Sequence, residues 1–184
     1  HTVESIYEAV KMARETGHNN INMDIIIGLP GENIDSVKNT LDKLNILNPE
    51  ALTVHTLTLK RAADLNVYIN EYKKNLPTNI SQMLMETKKY AQNNGYEPYY
   101  LYRQKGSFEN LENIGYSKKG FESIYNILIM EEIQSILALG AGAVCKIVDD
   151  NVHHLERVDN VKSVKDYVER IGDMIAKKQR IIQD

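Results

Sequence analysis

An acid, Asp24, precedes the apolar run Ile25-Ile26-Ile27, which leads into a Gly28-Leu29-Pro30-Gly31 turn. This order aims a carboxylate from a rigid strand near the carboxyl end of a sheet, where open and closed α/β folds place their ligands. Asp24 can accept hydrogen bonds there from a ribose or an amine; the other reading is a cap on the Gly31-to-Ile34 region. Gly28 and Gly31 let backbone approach a ligand closely, or they simply make a tight turn. A second small-residue loop, Gly140-Ala141-Gly142-Ala143, can offer amides to an anion or lie flat against a planar ring. It lacks the lysine and the strand-to-helix setting of a phosphate loop, so close packing is its plain alternative. In Tyr99-Tyr100-Leu101-Tyr102-Arg103-Gln104-Lys105, rings and cations suit a flat, carboxylate-bearing ligand, with Arg103 forked onto an acid. A tyrosine-rich edge strand with solvated basic residues fits the same pattern.

Other candidates read as structural. His55 lies in a strand and reads as a hydrogen-bonded core histidine, and Cys145, between Val144 and Lys146, as a buried small residue. His153 and His154 are adjacent, so a strand turns them to opposite faces and a two-histidine metal site is not expected. No Ser/His/Asp grouping, His-Glu-x-x-His pair or complete nucleotide fingerprint occurs. The residues by themselves predict a ligand-binding α/β domain.

The elements that must position these groups follow from periodicity. Thr2 caps a helix through Val3, Ile6, Tyr7, Val10 and Ala13, stopped by Gly17, and Ile21 to Ile27 is a strand. Ile34, Val37, Leu41 and Leu44 mark a second helix ended by Asn48-Pro49, and Ala51 to Leu59 is a second strand. Helix, strand, helix, strand at this spacing predicts parallel strands joined by right-handed crossovers. Helices are expected over Ala62–Tyr72 and Ile80–Gln92, and a strand over Tyr96–Gln104. Lys105 to Gly120 reads as a long functional loop. The apolar stretch Ser123–Leu139 is ambiguous between helix and strand. Val144–Val148 and Val152–Val158 form a hairpin, and one amphipathic helix runs from Ser163 through Ile175 toward Ile182.

The chain of 184 residues is 42% hydrophobic, enough to bury a core in one or two small domains. Its net charge of −3 and the lack of a basic block argue against nucleic acid as a partner. No membrane-length apolar run and no basic-then-apolar leader occurs, which predicts no membrane association and a cytoplasmic address. A single cysteine excludes an internal disulfide and a multi-thiolate metal site built from this chain alone. The first residue is His1 rather than methionine, which predicts a segment of a longer protein.

Four separated segments together resemble the oxygen-independent coproporphyrinogen III oxidase (coproporphyrinogen dehydrogenase) family of radical S-adenosylmethionine (SAM) enzymes. They are Asn22-to-Glu32, Tyr99-to-Lys105, Asn110-to-Tyr116, and Met130-to-Ile147 with its Ala-Leu-Gly-Ala-Gly-Ala core. The resemblance implies an α/β fold: the carboxyl-terminal part of a partial (β/α)6 barrel followed by an α+β region. Residues 1–60 would hold the last βα units of the barrel and residues 61–184 a substrate-covering region.

It also implies two cofactors, SAM and a [4Fe–4S] cluster, whose Cys-x-x-x-Cys-x-x-Cys ligands this chain lacks. Carried over position by position, Asp24 matches the SAM-contacting acid of the family's Asp-x-x-x-Gly-Leu-Pro motif, which includes Gly28. Thr58 falls where the family's backbone meets a second SAM or nearby cofactor atoms and Val144 matches a similar contact, although His55 and Cys145 stand where a better-known bacterial enzyme has an aromatic residue and a serine. The implied reaction is oxidative decarboxylation of propionates to vinyls after hydrogen abstraction by a 5′-deoxyadenosyl radical. A porphyrinogen is the implied substrate, with Arg103 and Lys105 expected on its carboxylates, and no catalytic acid or base is identified. The runner-up readings are a haem-trafficking relative and an inert fragment. An open sheet edge further predicts pairing with a second copy.

Overall fold

A computed structural model describes residues 2–58, 76–103, 112–149 and 154–183. Two compact units divide the chain, His1–Glu122 and Ser123–Asp184.

In the first unit, α1 (Val3–Glu15) begins at a capping box in which Thr2 Oγ1 accepts from the Ser5 amide and Ser5 Oγ accepts from the Thr2 amide. Two amides that the first helical turn leaves without partners are satisfied in this way. β1 (Asn22–Ile27) follows, and Asn33 and Ser36 repeat the box at the start of α2 (Ile34–Leu47). Asn48, left-handed at φ 47°, ends α2 directly before Pro49, whose ring disfavours helix in the residue ahead of it. β2 (Ala51–Thr56) then pairs parallel with β1, from Asn22 opposite Ala51 to Ile27 opposite Thr56. The expected helix over Ala62–Tyr72 lies outside the described residues. α3 (Ile80–Asn93) buries Ile80, Met83, Thr87 and Ala91 along one stripe and leads into β3 (Tyr96–Arg103).

The sheet departs from the expected loop over Lys105–Gly120. Glu112–Lys118 is a strand, β4, and it lies between β2 and β3, antiparallel to both, giving the order β1-β2-β4-β3. Its asparagine, glycine and serine resemble a loop in composition. In the fold Asn113, Gly115 and Ser117 are buried between neighbouring strands, while Ile114 and Tyr116 pack on the helix side. β4 leaves the β2 ladder after Ile114, and there the Asn113 side-chain oxygen accepts the Thr56 amide at 2.7 Å.

One face of the sheet carries the core: Ile25, Ile27, Leu52, Val54, Tyr96 and Tyr116 pack with Val37, Leu41 and Leu44 of α2 and Ile80, Met83 and Ala91 of α3. Helices on a single face are what a sheet destined for a barrel requires, its other face turning inward. That other face is open in this unit, where Ile26 is 46% exposed although its sequence neighbours Ile25 and Ile27 are buried.

The strand register across β3 changes once. Pro98 pairs with Tyr116 but Tyr100 with Gly115, so Tyr99 is an extra residue, a bulge. Side chains alternate faces with a period of two, so the insertion reverses the pattern: Tyr96 enters the helix-side core, whereas Tyr100 and Tyr102 turn to the open face. Pro98 fits here because β3 is an edge strand that needs no outward amide.

Glu50 joins three segments at the entrance to β2. Its two oxygens take Arg14 at 2.9 and 2.8 Å, and Oε2 also accepts the Ile21 amide at 2.9 Å. Burial pushes the carboxyl up, but the Arg14 hydrogen bond and charge and the Ile21 amide outweigh it and hold the group below its ordinary value. A carboxyl depressed on folding contributes stability that is fully present above its unfolded pKa of about 4.3 and is lost as pH falls through the folded value. Glu50→Gln is therefore expected to cost about 1–2 kcal/mol near neutrality and much less near pH 3, as measured by urea unfolding.

In the second unit, α4 (Ile124–Glu131) resolves the ambiguous apolar stretch as a helix capped by Ser123 and closed by Glu132 at φ 53°. β5 (Val144–Asp149) and β6 (His154–Asp159) form the expected hairpin. The expected final helix is broken at Arg170 into α5 (Val164–Glu169) and α6 (Ile171–Gln183), next to Gly172. Among the described residues no helix is long and apolar enough to cross a membrane.

Candidate functional site

The open face of the first unit gathers polar and aromatic groups from all four strands. Register places Asp24 of β1 opposite Thr53 of β2, Thr53 opposite Gly115 of β4, and Gly115 opposite Tyr100 of β3, one row across the sheet. The next row holds Ile26 beside His55, and Asn113 beside Tyr102.

Asp24 occupies the middle of β1 rather than its end, with its side chain 60% exposed. Oδ1 accepts from Asn22 Nδ2 at 2.6 Å, and Oδ2 lies 3.4 Å from His55 Nε2. The other imidazole nitrogen, Nδ1, is 3.2 Å from the Tyr102 hydroxyl, and the two rings meet edge-on. Tyr102 stacks parallel to Tyr100, interplanar angle 4°, and the Tyr100 hydroxyl is 3.4 Å from Thr53 Oγ1. Thr53 Oγ1 in turn donates to Asn22 Oδ1 at 3.2 Å, closing a ring of contacts around the acid. The Tyr100 ring occupies the space a side chain at Gly115 would fill: a Cβ there would stand 1.8 Å from Tyr100 Cε1. Burial pushes both phenols up, and the nearby Asp24 carboxylate adds to the effect, so both stay protonated at neutral pH.

Gly28 and Thr58 leave β1 and β2 at the carboxyl ends, just beyond the last pair of Ile27 with Thr56, where the Leu57 amide still donates to the Ile27 carbonyl. Gly28 has φ 92° and its amide donates to Glu32 Oε2 at 2.7 Å, an oxygen that also takes the Leu29 amide. Both amides are thus spent on the turn, and Glu32, not Asp24, caps it. Thr58 Oγ1 donates to the Thr56 carbonyl at 3.3 Å. Arg103 is the last residue of β3, opposite Glu112, and Lys105 lies outside the described residues.

Val144 belongs to the second unit, where it lines an open cavity of about 530 Å³ with Tyr125, Ile129, Ile136 and Lys146. The Gly140–Ala143 loop beside it offers no anion cradle through its glycines. The Gly140 amide donates to the Tyr167 hydroxyl, Gly142 to the Val161 carbonyl and Ala143 to the Gly140 carbonyl, so this is a packed turn. Cys145 is fully buried, its sulfur accepting the Ala138 amide at 3.3 Å, as expected of a structural residue. His153 is outside the described residues, and among those described no group of His, Cys, Asp and Glu could hold a metal ion.

Sequence reasoning singled out Asp24 and the tyrosines of β3 separately, but not that they share one face with His55. His55 is not a core histidine; it is half-buried on the open face, between Asp24 and Tyr102. A signal was available for it: residues 53 and 55 share one face of a strand, as 22 and 24 do, and parallel pairing sets the two faces together. For Tyr100 and Tyr102 no such signal existed, because the bulge decides their side.

The arrangement suits a ligand with vicinal hydroxyls or an ammonium. Oδ1 accepts one hydrogen bond and Oδ2 faces His55 at 3.4 Å, so the carboxylate retains acceptor capacity, and two parallel phenols lie beside it on the open face. An adenosine or amino-acid group such as SAM carries fits that donor set. A [4Fe–4S] cluster does not fit the chain's own residues, because the only cysteine is buried and bonded within the second unit.

Comparison with known proteins agrees with this architecture. No family model matches the chain. It is 44% identical over 183 residues to the oxygen-independent coproporphyrinogen-III oxidase-like protein HemZ of Bacillus subtilis, covering 100% of this chain and 36% of that protein. It is 24% identical over 184 residues to the heme chaperone HemW of Lactococcus lactis, spanning 46% of it. The solved coproporphyrinogen III oxidase HemN of Escherichia coli, described as a radical SAM enzyme, superposes with a TM-score of 0.62 at 20% identity, over 94% of this chain and 38% of that one. The chain thus spans less than half the length of each of these proteins, and the expected fold, a portion of the radical SAM barrel with an α+β continuation, is the one observed. With 44% identity along its whole length, the chain is similar to a portion of the coproporphyrinogen-III oxidase-like protein HemZ, and its fold is that of the corresponding part of HemN.

Proposed function

We propose that the chain forms one wall of the active site of a coproporphyrinogen dehydrogenase, a radical SAM oxidoreductase that converts porphyrinogen propionates to vinyls in haem biosynthesis. The observation that carries this reading is an exposed acid on the inward face of the barrel portion, in a chain 44% identical to the HemZ protein. Asp24 holds SAM through its free acceptor sites, with Gly28 and Thr58 at the adjoining strand ends. When bound, SAM and a [4Fe–4S] cluster supply the hydrogen abstraction; the cluster is held by parts of the protein outside these residues. The residues described here bind and orient, and the phenols with Ile26 limit water around the acid. By itself the chain is inactive. Arg103 and Lys105 engage the substrate carboxylates.

A second reading, haem trafficking, draws on the HemW likeness. Anaerobic incubation of the full-length protein with coproporphyrinogen and SAM separates the two. Vinyl products with SAM consumption support the oxidase, while haem retention without conversion supports trafficking. In the same assay Arg103→Ala combined with Lys105→Ala is expected to raise KM about tenfold with a smaller change in kcat. An unchanged KM removes both from the substrate site.

A further inference from the structure

We infer that Tyr102 and His55 form a positioning relay that fixes the carboxylate of Asp24 in its ligand-holding orientation. This rests on the reading of Asp24 as the cofactor-holding acid and adds to it the two residues that set its geometry.

An exposed aspartate on a strand samples several rotamers, and ordering it takes free energy from whatever it binds. Here each oxygen has a neighbour able to hold it: Oδ1 accepts from the Asn22 side-chain amide at 2.6 Å, and Oδ2 faces His55 Nε2 across an ion-pair contact of 3.4 Å. A histidine can tether a carboxylate through Nε2 only if that nitrogen carries a proton. In neutral imidazole the opposite nitrogen must then accept. Tyr102 meets the requirement, since its hydroxyl stands 3.2 Å from Nδ1. Burial, reinforced by Asp24, keeps that phenol protonated and so able to donate. The direction is therefore consistent along the chain: Tyr102 O–H to Nδ1, and Nε2–H to Asp24. A hydrogen bond to the far nitrogen that selects a tautomer and orients the ring is how histidines beside metal ions are held, and the physics is the same beside a carboxylate.

Tyr102 is itself set rigidly. The bulge at Tyr99 turns it to the open face, and the parallel ring of Tyr100, lying over Gly115, supports it from the side. Relay and support come from three different strands, so the orientation of Asp24 is a property of the sheet and not of β1 alone.

The test uses the full-length protein and two independent readouts. The first is the affinity for SAM at equilibrium. His55→Phe keeps an aromatic ring but has no donor, and is expected to weaken binding about tenfold. His55→Gln places an amide donor near the Nε2 position and is expected to stay within about twofold of wild type. The second readout is the tautomer of His55, from nitrogen-15 NMR of histidine-labelled protein without cofactor, with the signal assigned by its absence in His55→Gln. The Nε2–H form is expected in wild type, and a mixture of tautomers in Tyr102→Phe. Wild-type affinity in His55→Phe, or an Nδ1–H tautomer in wild type, overturns the relay. If Asp24→Asn binds SAM as tightly as wild type, the reading of Asp24 fails instead, and the tautomer measurement still decides whether Tyr102 and His55 are coupled.

Discussion

Asp24→Asn in the full-length protein is expected to weaken SAM binding about 30-fold while leaving the unfolding transition almost unmoved. The size follows from what is removed. A carboxylate accepting from hydroxyl or ammonium donors makes charge-assisted bonds, each about twice as strong as a neutral one. An amide at this position keeps one acceptor and turns a donor toward His55, so the side chain loses both its charge and one of its two tethers. The small effect on stability follows from exposure: the Asp24 side chain is 60% accessible and contributes nothing to the helix-side core. Equilibrium dialysis with SAM beside urea unfolding measures both quantities. Undiminished affinity would remove Asp24 from the cofactor site. Weakened affinity accompanied by a large loss of stability would mean that the acid is structural.

The second large effect is expected at Gly115. Its substitution by alanine should cost about 2–3 kcal/mol, a typical penalty for overpacking a filled site. A Cβ at this position would meet Tyr100 Cε1 at 1.8 Å and Cδ1 at 2.3 Å, far inside contact distance. The ring cannot slide aside, because Tyr102 stacks along it and Tyr99 meets it edge-on with centroids 4.8 Å apart. It must leave the open face, and its contact with Thr53 goes with it. An aromatic ring laid over a cross-strand glycine is a recognised way of stabilising a sheet where glycine leaves a gap. Strong coupling between the two positions is therefore expected. In a Tyr100→Ala background the same glycine substitution should be neutral or slightly stabilising, since alanine restricts the unfolded chain more than glycine does. A double-mutant cycle by urea unfolding measures this. Equal costs in both backgrounds would show that Tyr100 does not depend on the missing side chain.

The two residues differ in how far the sequence alone reveals them. Asp24 is legible because local order places it: an apolar run, a Gly-Leu-Pro-Gly turn and a capped helix define β1 and α2 whatever the rest of the chain does. The same is true of α1, α2, the parallel pair β1 and β2, and the stripe on α3, each governed by neighbours within a few residues. Capping boxes, a proline after Asn48 and apolar periodicity are interactions along the chain, and reading them needs no partner.

The environment of Gly115 is illegible for the opposite reason. β4 reads as a loop because Asn113, Gly115 and Ser117 are polar or small, and distant residues engage the first two of them in the central strand. Asn113 supplies an acceptor to Thr56, and the Tyr100 ring fills the gap above Gly115. Likewise, alternation along β3 puts Tyr96, Tyr100 and Tyr102 on one face, and one extra residue in the pairing with β4 moves the last two to the other. What the sequence determined by itself is the set of local elements and the acid they carry. The tertiary structure alone decided which side chains surround that acid, because strand order, register and a single bulge are set by pairing between segments far apart in the chain, and a shift of one residue reverses every side chain beyond it.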